Sequence, residues 1–155
     1  KASEYRFLVL SDLYRVTGDA RAGALVRQLL FGEGFRFLFW LRTCRFVRSH
    51  WLFRYCIYPF ALLMFRRYTY KFGISIPYNT EIGPGFYIGH FGGIVINQRC
   101  RIGRNCNISH GVTLGKVNRG LHNGYPIIGN NVMIGPGAVV LGGITIGDNA
   151  AIGAN

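Results

Sequence analysis

From Ile76 onward an aliphatic side chain returns every six residues, as Ile76, Ile82, Ile88 and Ile94. The series slips by two and restarts as Ile96, Ile102, Ile108 and Leu114; after an interruption at 115–127 it resumes as Ile128, Ile134, Val140, Ile146 and Ile152. Glycine often follows the aliphatic, as at Gly83, Gly89, Gly103, Gly129, Gly135, Gly147 and Gly153. Four residues after it comes a small or apolar residue in most units: Thr80, Cys100, Cys106, Val112, Val132, Ala138, Ile144 and Ala150. A period of six excludes an amphipathic helix, which repeats near 3.6, and a hairpin protein, which alternates at two. It fits a coil of triangular cross-section. Each six-residue unit forms one flat side, the aliphatic points into a stacked interior column, and the small residue fills a corner.

Residues 4–70 follow another pattern. Ser11 and Asp12 are expected to cap a short helix that Gly18 then interrupts. Between Phe35 and Arg48, the basic residues Arg36, Arg42, Arg45 and Arg48 alternate with Phe35, Leu38, Phe39, Leu41, Phe46 and Val47 at roughly helical spacing. A second apolar stretch, Ile57 to Phe65, runs into Arg66, Arg67 and Lys71. It is too short to span a bilayer, which takes about 20 apolar residues. Two environments suit such basic, aromatic helices: an oligomer or core interface, and an anionic membrane surface with Arg42, Arg45 and Arg48 as the docking face. The expected organisation is a helical segment over 1–72 and a coiled domain over 73–155, with an excursion loop at 116–126.

Composition sharpens the division. Residues 1–72 carry 13 Lys/Arg against 4 Asp/Glu, whereas 73–155 carry 5 against 2. The basic half calls for an anionic partner or a solvated face. No recognisable nucleic-acid-binding module accompanies the charge, so nucleic acid is not the expected partner. Cys44, Cys56, Cys100 and Cys106 form no CxxC pair, and the first residues are polar rather than a secretory signal. Free thiols in a reducing cytoplasm are expected, with Cys100 and Cys106 acting as compact apolar fillers. Lys1 in place of a start methionine and Asn155 in mid-repeat imply a chain trimmed or incompletely ordered at both ends.

An aliphatic coil has no use for histidine, so His90 and His110 stand out. Each lies two positions after an inward aliphatic, and their separation of 20 residues is one 18-residue turn plus the slip. They should share a corner, one strand spacing (about 5 Å) apart. His122 falls in the excursion loop. An imidazole can take a proton from an alcohol near neutral pH, as acyl transfer to oxygen requires, and backbone N–H groups near a glycine turn can hold the oxyanion. With a thioester as the other reactant, no metal is required. A zinc site formed between neighbouring subunits from His90, His110 and His122 is a further alternative, although histidines paired closely in sequence are missing.

Several runs resemble the serine O-acetyltransferase family of hexapeptide-repeat acyltransferases. They are Phe72-Gly73-Ile74-Ser75-Ile76-Pro77, Ile82-Gly83-Pro84-Gly85, Gly89-His90, Gly92-Gly93-Ile94-Val95-Ile96, Gly111-Val112-Thr113-Leu114-Gly115, Pro126-Ile127-Ile128-Gly129 and Ile152-Gly153-Ala154-Asn155. A weaker likeness extends upstream through Asp12 and the 29–35 run to Arg42. The resemblance implies α-helices followed by a left-handed parallel β-helix, a homotrimer, and acetyl-CoA lying between adjacent β-helices. It implies His90 as general base, with Gly135, Ala138, Gly153 and Ala154 along the coenzyme. The remaining candidates come from their positions: His110 to hydrogen-bond the acceptor or orient His90, Ser75 or a water to support His90 if the acceptor is serine, Asn97, His122 and Tyr125 for the acceptor, Gly115 for the coenzyme, and Lys116 and Arg119 to close on the substrates or meet coenzyme phosphates.

Serine-specific members carry aspartate where this chain has Ser75 and Gly89, and histidine where it has Tyr125. The runs around His90 and His110 resemble the branch that acetylates sugars in colanic-acid and capsule assembly. The expectation is therefore acetyl transfer to a saccharide, lipid-linked or small, by a cytoplasmic enzyme peripheral to the inner membrane face. The alternatives are serine acetyltransferase and a non-catalytic membrane-associated scaffold.

Overall fold

The computed structural model describes residues 2–155, so Lys1 lies outside the described residues. Five helices precede twelve short strands. The helices are α1 (Ala2–Thr17), α2 (Ala22–Phe31), α3 (Glu33–Arg48), α4 (Trp51–Cys56) and α5 (Tyr58–Phe72). Contrary to the expected cap, Ser11 and Asp12 lie inside the continuous α1, which ends where Gly18 adopts a left-handed φ of 70°.

The strands form three parallel sheets, each one side of a left-handed coil. The first side stacks β1 (Ile74–Ser75), β4 (Ile94–Ile96), β7 (Thr113–Gly115) and β10 (Val139–Leu141). The second stacks β2 (Glu81–Ile82), β5 (Arg101–Ile102), β8 (Ile127–Ile128) and β11 (Thr145–Ile146). The third stacks β3 (Tyr87–Ile88), β6 (Asn107–Ile108), β9 (Met133–Ile134) and β12 (Ala151–Ile152). Successive turns pair Ile82 with Ile102, Ile102 with Ile128 and Ile128 with Ile146, so the slip and the excursion are absorbed without losing the column.

Ile76, Ile82, Ile88, Ile94, Ile96, Ile102, Ile108, Leu114, Ile128, Ile134 and Val140 are all buried. Each such side chain stabilises the coil by about 1.5–3 kcal/mol relative to exposure. Thr80, Cys100, Cys106, Val112, Val132 and Ala138 are buried in the corner slots. Close stacking also explains the glycine after the aliphatic: a Cβ on Gly83 would stand 2.6 Å from the Gly103 carbonyl carbon of the next turn. At the corner between the second and third sides, Asn105, Asn131 and Asn149 take left-handed backbone conformations. Their amides form a ladder, with Asn105 Nδ2 donating to Asn131 Oδ1 at 3.3 Å and Asn131 Nδ2 to Asn149 Oδ1 at 2.9 Å.

The helices are part of the same core. Phe37, Leu38, Leu41, Cys44, Ala61, Phe65 and Phe72 from α3 and α5 join the interior of the coil. A buried ion pair fixes the junction. Arg42 Nε donates to Asp12 Oδ2 at 2.9 Å, while its NH1 and NH2 donate to the carbonyls of Ile82 (2.7 Å) and Gly83 (2.6 Å). Asp12 Oδ1 accepts the Phe86 N–H at 2.9 Å. Burial pushes the Asp12 carboxyl upward, and Arg42 and the Phe86 N–H pull against that shift.

This geometry corrects the expected docking face on α3. Arg42 is wholly enclosed, Arg45 donates to the Thr80 carbonyl at 3.2 Å, and Arg48 donates to Tyr78 Oη. Arg42 is thereby withdrawn from any surface partner, while Arg45 and Arg48 stay exposed with their guanidinium groups held to the coil. Among the described residues, no helix is long and apolar enough to cross a membrane.

Candidate active site

β3 and β6 end at the corner between the third and first sides, and their register places Ile88 beside Ile108. His90 and His110, two residues beyond each, are both exposed, with ring centroids 6.0 Å apart and edges toward faces. Phe91 is held against Phe72 at 5.3 Å, which ties the His90 turn to the end of α5. Below this corner the backbone is closed by Gly111 N–H to the Gly92 carbonyl (2.8 Å) and Gly137 N–H to the His110 carbonyl (3.0 Å). The result is two imidazoles on a rigid, solvent-facing edge of stacked turns. Such groups can exchange protons with an acceptor hydroxyl without first breaking an internal contact.

The other expected residues are distributed more widely. Ser75 lies on the outer face of the first side, in register with Val95, and makes no hydrogen bond to His90 among the described residues. It shares an open groove of roughly 520 Å³ with Asn97, Arg99, Thr113 and Gly115. Asn97 shapes the far corner, between the first and second sides, where its Oδ1 accepts the Arg99 N–H at 3.1 Å. The excursion also belongs to that far corner. It is a hairpin in which Val117 and Gly124 exchange backbone hydrogen bonds of 3.2 and 3.1 Å, and the His122 carbonyl is fixed by the Gly143 N–H at 2.9 Å. Leu121, at its tip, is completely exposed.

Lys116, Arg119, His122 and Tyr125 therefore sit at a different corner from His90 and His110. His122 lies at the far corner, so within one protomer it does not join His90 and His110. Among the described residues, no group of three His, Cys, Asp or Glu side chains stands at metal-holding distance. Lys116 and Arg99 both approach the Tyr125 ring, each 5.6 Å from its centroid. Arg99 is not among the candidates that the motifs suggest. Its signal lay in the register, since Arg101 pairs with Ile127 and Arg99 is therefore level with Tyr125.

Two coenzyme-lining assignments change meaning. Ala138 is buried, so its methyl group fills the interior corner and presents no surface to a ligand. Gly135 is dictated by the next turn, because a Cβ there would lie 2.9 Å from the Gly153 carbonyl carbon. Gly115 is similarly confined by the Leu141 side chain, whereas Gly153 and Ala154 are exposed.

Residues 125–155 match the bacterial transferase hexapeptide family (six repeats), and 93–116 match the hexapeptide repeat of succinyl-transferase. Fold and repeat are those of hexapeptide-repeat proteins, the repeat being the part of the chain that both family models match. Within that class the relatives are serine acetyltransferases. That of Staphylococcus xylosus is 42% identical over 107 residues, covering 69% of this chain and 50% of the relative. That of Helicobacter pylori (strain 26695) is 45% identical over 83 residues, 54% of this chain and 48% of the relative. Serine acetyltransferase isoform 3 of Entamoeba histolytica, solved with cysteine, superposes with a TM-score of 0.75 at 33% identity, covering 98% of this chain and 53% of that one. The Brucella abortus S19 enzyme, solved with coenzyme A, gives 0.76 at 26% identity over 98% of this chain and 59% of that one. The chain spans about half the length of the curated relatives it matches.

These findings overturn the expected saccharide acceptor. The similar proteins named above are serine acetyltransferases, and surface-polysaccharide assembly loses its support with the acceptor.

Proposed function

We propose that this chain transfers an acetyl group from acetyl-CoA to the hydroxyl of L-serine. The observation that carries the reading is an exposed His90–His110 pair in a chain 42% identical over 107 residues to one serine acetyltransferase and 45% over 83 residues to another. His90 takes the proton of the hydroxyl as its oxygen attacks the thioester carbonyl. The tetrahedral intermediate collapses with loss of the coenzyme thiolate, which recovers the proton from the imidazolium. His110, one strand away, hydrogen-bonds the acceptor or orients His90. Coenzyme A in the solved Brucella relative supports acetyl-CoA as donor.

The far-corner hairpin supplies Lys116 and Arg119 for the coenzyme phosphates, and His122 and Tyr125 for the amino acid. Within one protomer it lies a full side away from the histidines, so the complete site forms between copies of the chain in a homotrimer. The exposed Val95, Ile127, Met133, Val139 and Leu141 on the outer faces support such packing. Ser75, Gly89 and Tyr125 depart from the serine-specific pattern, which leaves His90 without a carboxylate partner and points to slow turnover. The test is thiol release from acetyl-CoA in the presence of L-serine, with O-acetylserine identified by mass. Absence of that product at saturating serine, from protein that binds acetyl-CoA, would remove serine as acceptor.

A further inference from the structure

The arginines of α3 are engaged by the coil, Arg42 in its interior and Arg45 and Arg48 at its surface, but a second basic, aromatic surface remains. Between Glu33 and Glu81 the chain has no acidic residue and eight Lys/Arg. Arg42 is buried, and the exposed Arg45 and Arg48 are engaged by the Thr80 carbonyl and Tyr78; the exposed cations that lie on the next two helices are Arg54 on α4 and Arg66, Arg67 and Lys71 on α5. The apolar side chains among them are exposed too: Trp51 77%, Tyr55 80%, Leu63 61% and Tyr70 81%.

On α5 the faces separate cleanly. Ala61, Phe65 and Phe72 point into the core, while Phe60, Leu63, Arg67 and Tyr70 follow one another at helical spacing on the opposite side. α4 extends this surface, with Trp51, Phe53, Tyr55 and Ile57 all exposed. Aromatic and aliphatic side chains flanked by cations, on helices too short to span a bilayer, are the chemistry of an element lying in a lipid interface.

We infer that the α4–α5 hairpin is a docking surface for anionic phospholipid membranes. Charge selects the occupant. A second copy related by a two-fold axis would set Arg54, Arg66, Arg67 and Lys71 against themselves, with no carboxylate on either face to offset them. Nucleic acid would satisfy the cations, but it offers no apolar medium for Ile57, Phe60 and Leu63. An anionic bilayer satisfies both, with phosphates at the arginines and acyl chains beneath Trp51 and Leu63. The helix ends at Phe72, against which Phe91 packs beside His90, so docking would hold the histidine corner close to the membrane.

The test is flotation of the intact protein with vesicles of phosphatidylcholine alone, and of phosphatidylcholine mixed equally with phosphatidylglycerol, without acyl donor or acceptor. The readout is thus independent of acetyl transfer. Binding should require phosphatidylglycerol, weaken with salt and shift Trp51 emission to the blue. Each surface arginine contributes about fivefold to partitioning, so Arg54→Gln/Arg66→Gln/Arg67→Gln together should weaken it on the order of a hundredfold. Leu63→Ser with Tyr70→Ser should weaken it as well, with an unchanged circular dichroism spectrum because both side chains are exposed. The inference is overturned by no binding to the anionic vesicles, by equal binding to neutral ones, or by full binding of the arginine variant. A DNA duplex that captures the protein and abolishes flotation would also overturn it, by assigning the surface to nucleic acid.

Discussion

Replacing Arg42 with methionine removes the charge that joins α1, α3 and the first turn of the coil while preserving most of the side-chain volume. Four hydrogen bonds disappear: two to Asp12 and one each to the carbonyls of Ile82 and Gly83. Breaking one side of a buried pair costs about 3–5 kcal/mol, because the remaining charge has no partner. Asp12 keeps only the Phe86 N–H, and burial then drives its carboxyl further upward than in the wild type. A carboxyl whose folded pKa exceeds its unfolded value of about 3.9 binds more protons when folded. Stability therefore falls as pH rises between those two values, by about 1.4 kcal/mol per unit, and the penalty is complete above the folded pKa.

Urea denaturation should thus show Arg42→Met destabilised by about 3–5 kcal/mol at neutral pH and much less near pH ~4. The double replacement Asp12→Leu/Arg42→Met should recover most of the loss, because no buried charge remains. A loss below about 1 kcal/mol, or one independent of pH, would refute the assignment of this pair as the clamp between helices and coil.

Other outcomes follow from the same geometry. Cys56 is exposed while Cys44, Cys100 and Cys106 are buried, and burial pushes the Cys44 thiol up to about 12. A thiol reagent should therefore modify one cysteine per native chain and four after unfolding. Gly83→Ala should lower stability by about 2 kcal/mol or more, since its Cβ meets backbone 2.6 Å away, whereas Gly147→Ala, with nothing within 4 Å, should be nearly neutral in thermal melts. Gly89 has ordinary space for a side chain, its nearest atom being Tyr87 Cε1 at 3.4 Å. Gly89→Asp should accordingly fold and raise kcat/KM for serine; an unaltered value would show that this carboxylate is not what the site lacks.

The coil was legible because its information is periodic. Ile82, Ile102, Ile128 and Ile146 announce their stacking by spacing alone, and the same arithmetic brought His90 beside His110. What escaped the reading depends on partners distant in the chain. A local pattern makes Arg42 one of several solvent-facing arginines; only the arrival of Asp12 from 30 residues upstream and of the 82–83 carbonyls reveals it as buried. The family motif points Ala138 at the coenzyme, although its own place in the six-residue period marks it as interior. The hairpin at 116–126 was visible as a break in the repeat, but its attachment to Gly143, and so its separation from the histidine corner, was not. The acceptor is hard to read for a related reason. The three polar groups missing at Ser75, Gly89 and Tyr125 point away from serine, whereas likeness over 107 residues favours serine acetyltransferases.

The central claim is that His90 deprotonates the serine hydroxyl. The most direct measurement is acetyl-CoA- and serine-dependent thiol release by wild type, His90→Ala and His110→Ala, with acetyl-CoA affinity measured in parallel. The expected result is a loss on the order of 10²–10⁴-fold in kcat for His90→Ala with coenzyme affinity retained, and a smaller loss for His110→Ala. Undiminished turnover by His90→Ala would contradict the account.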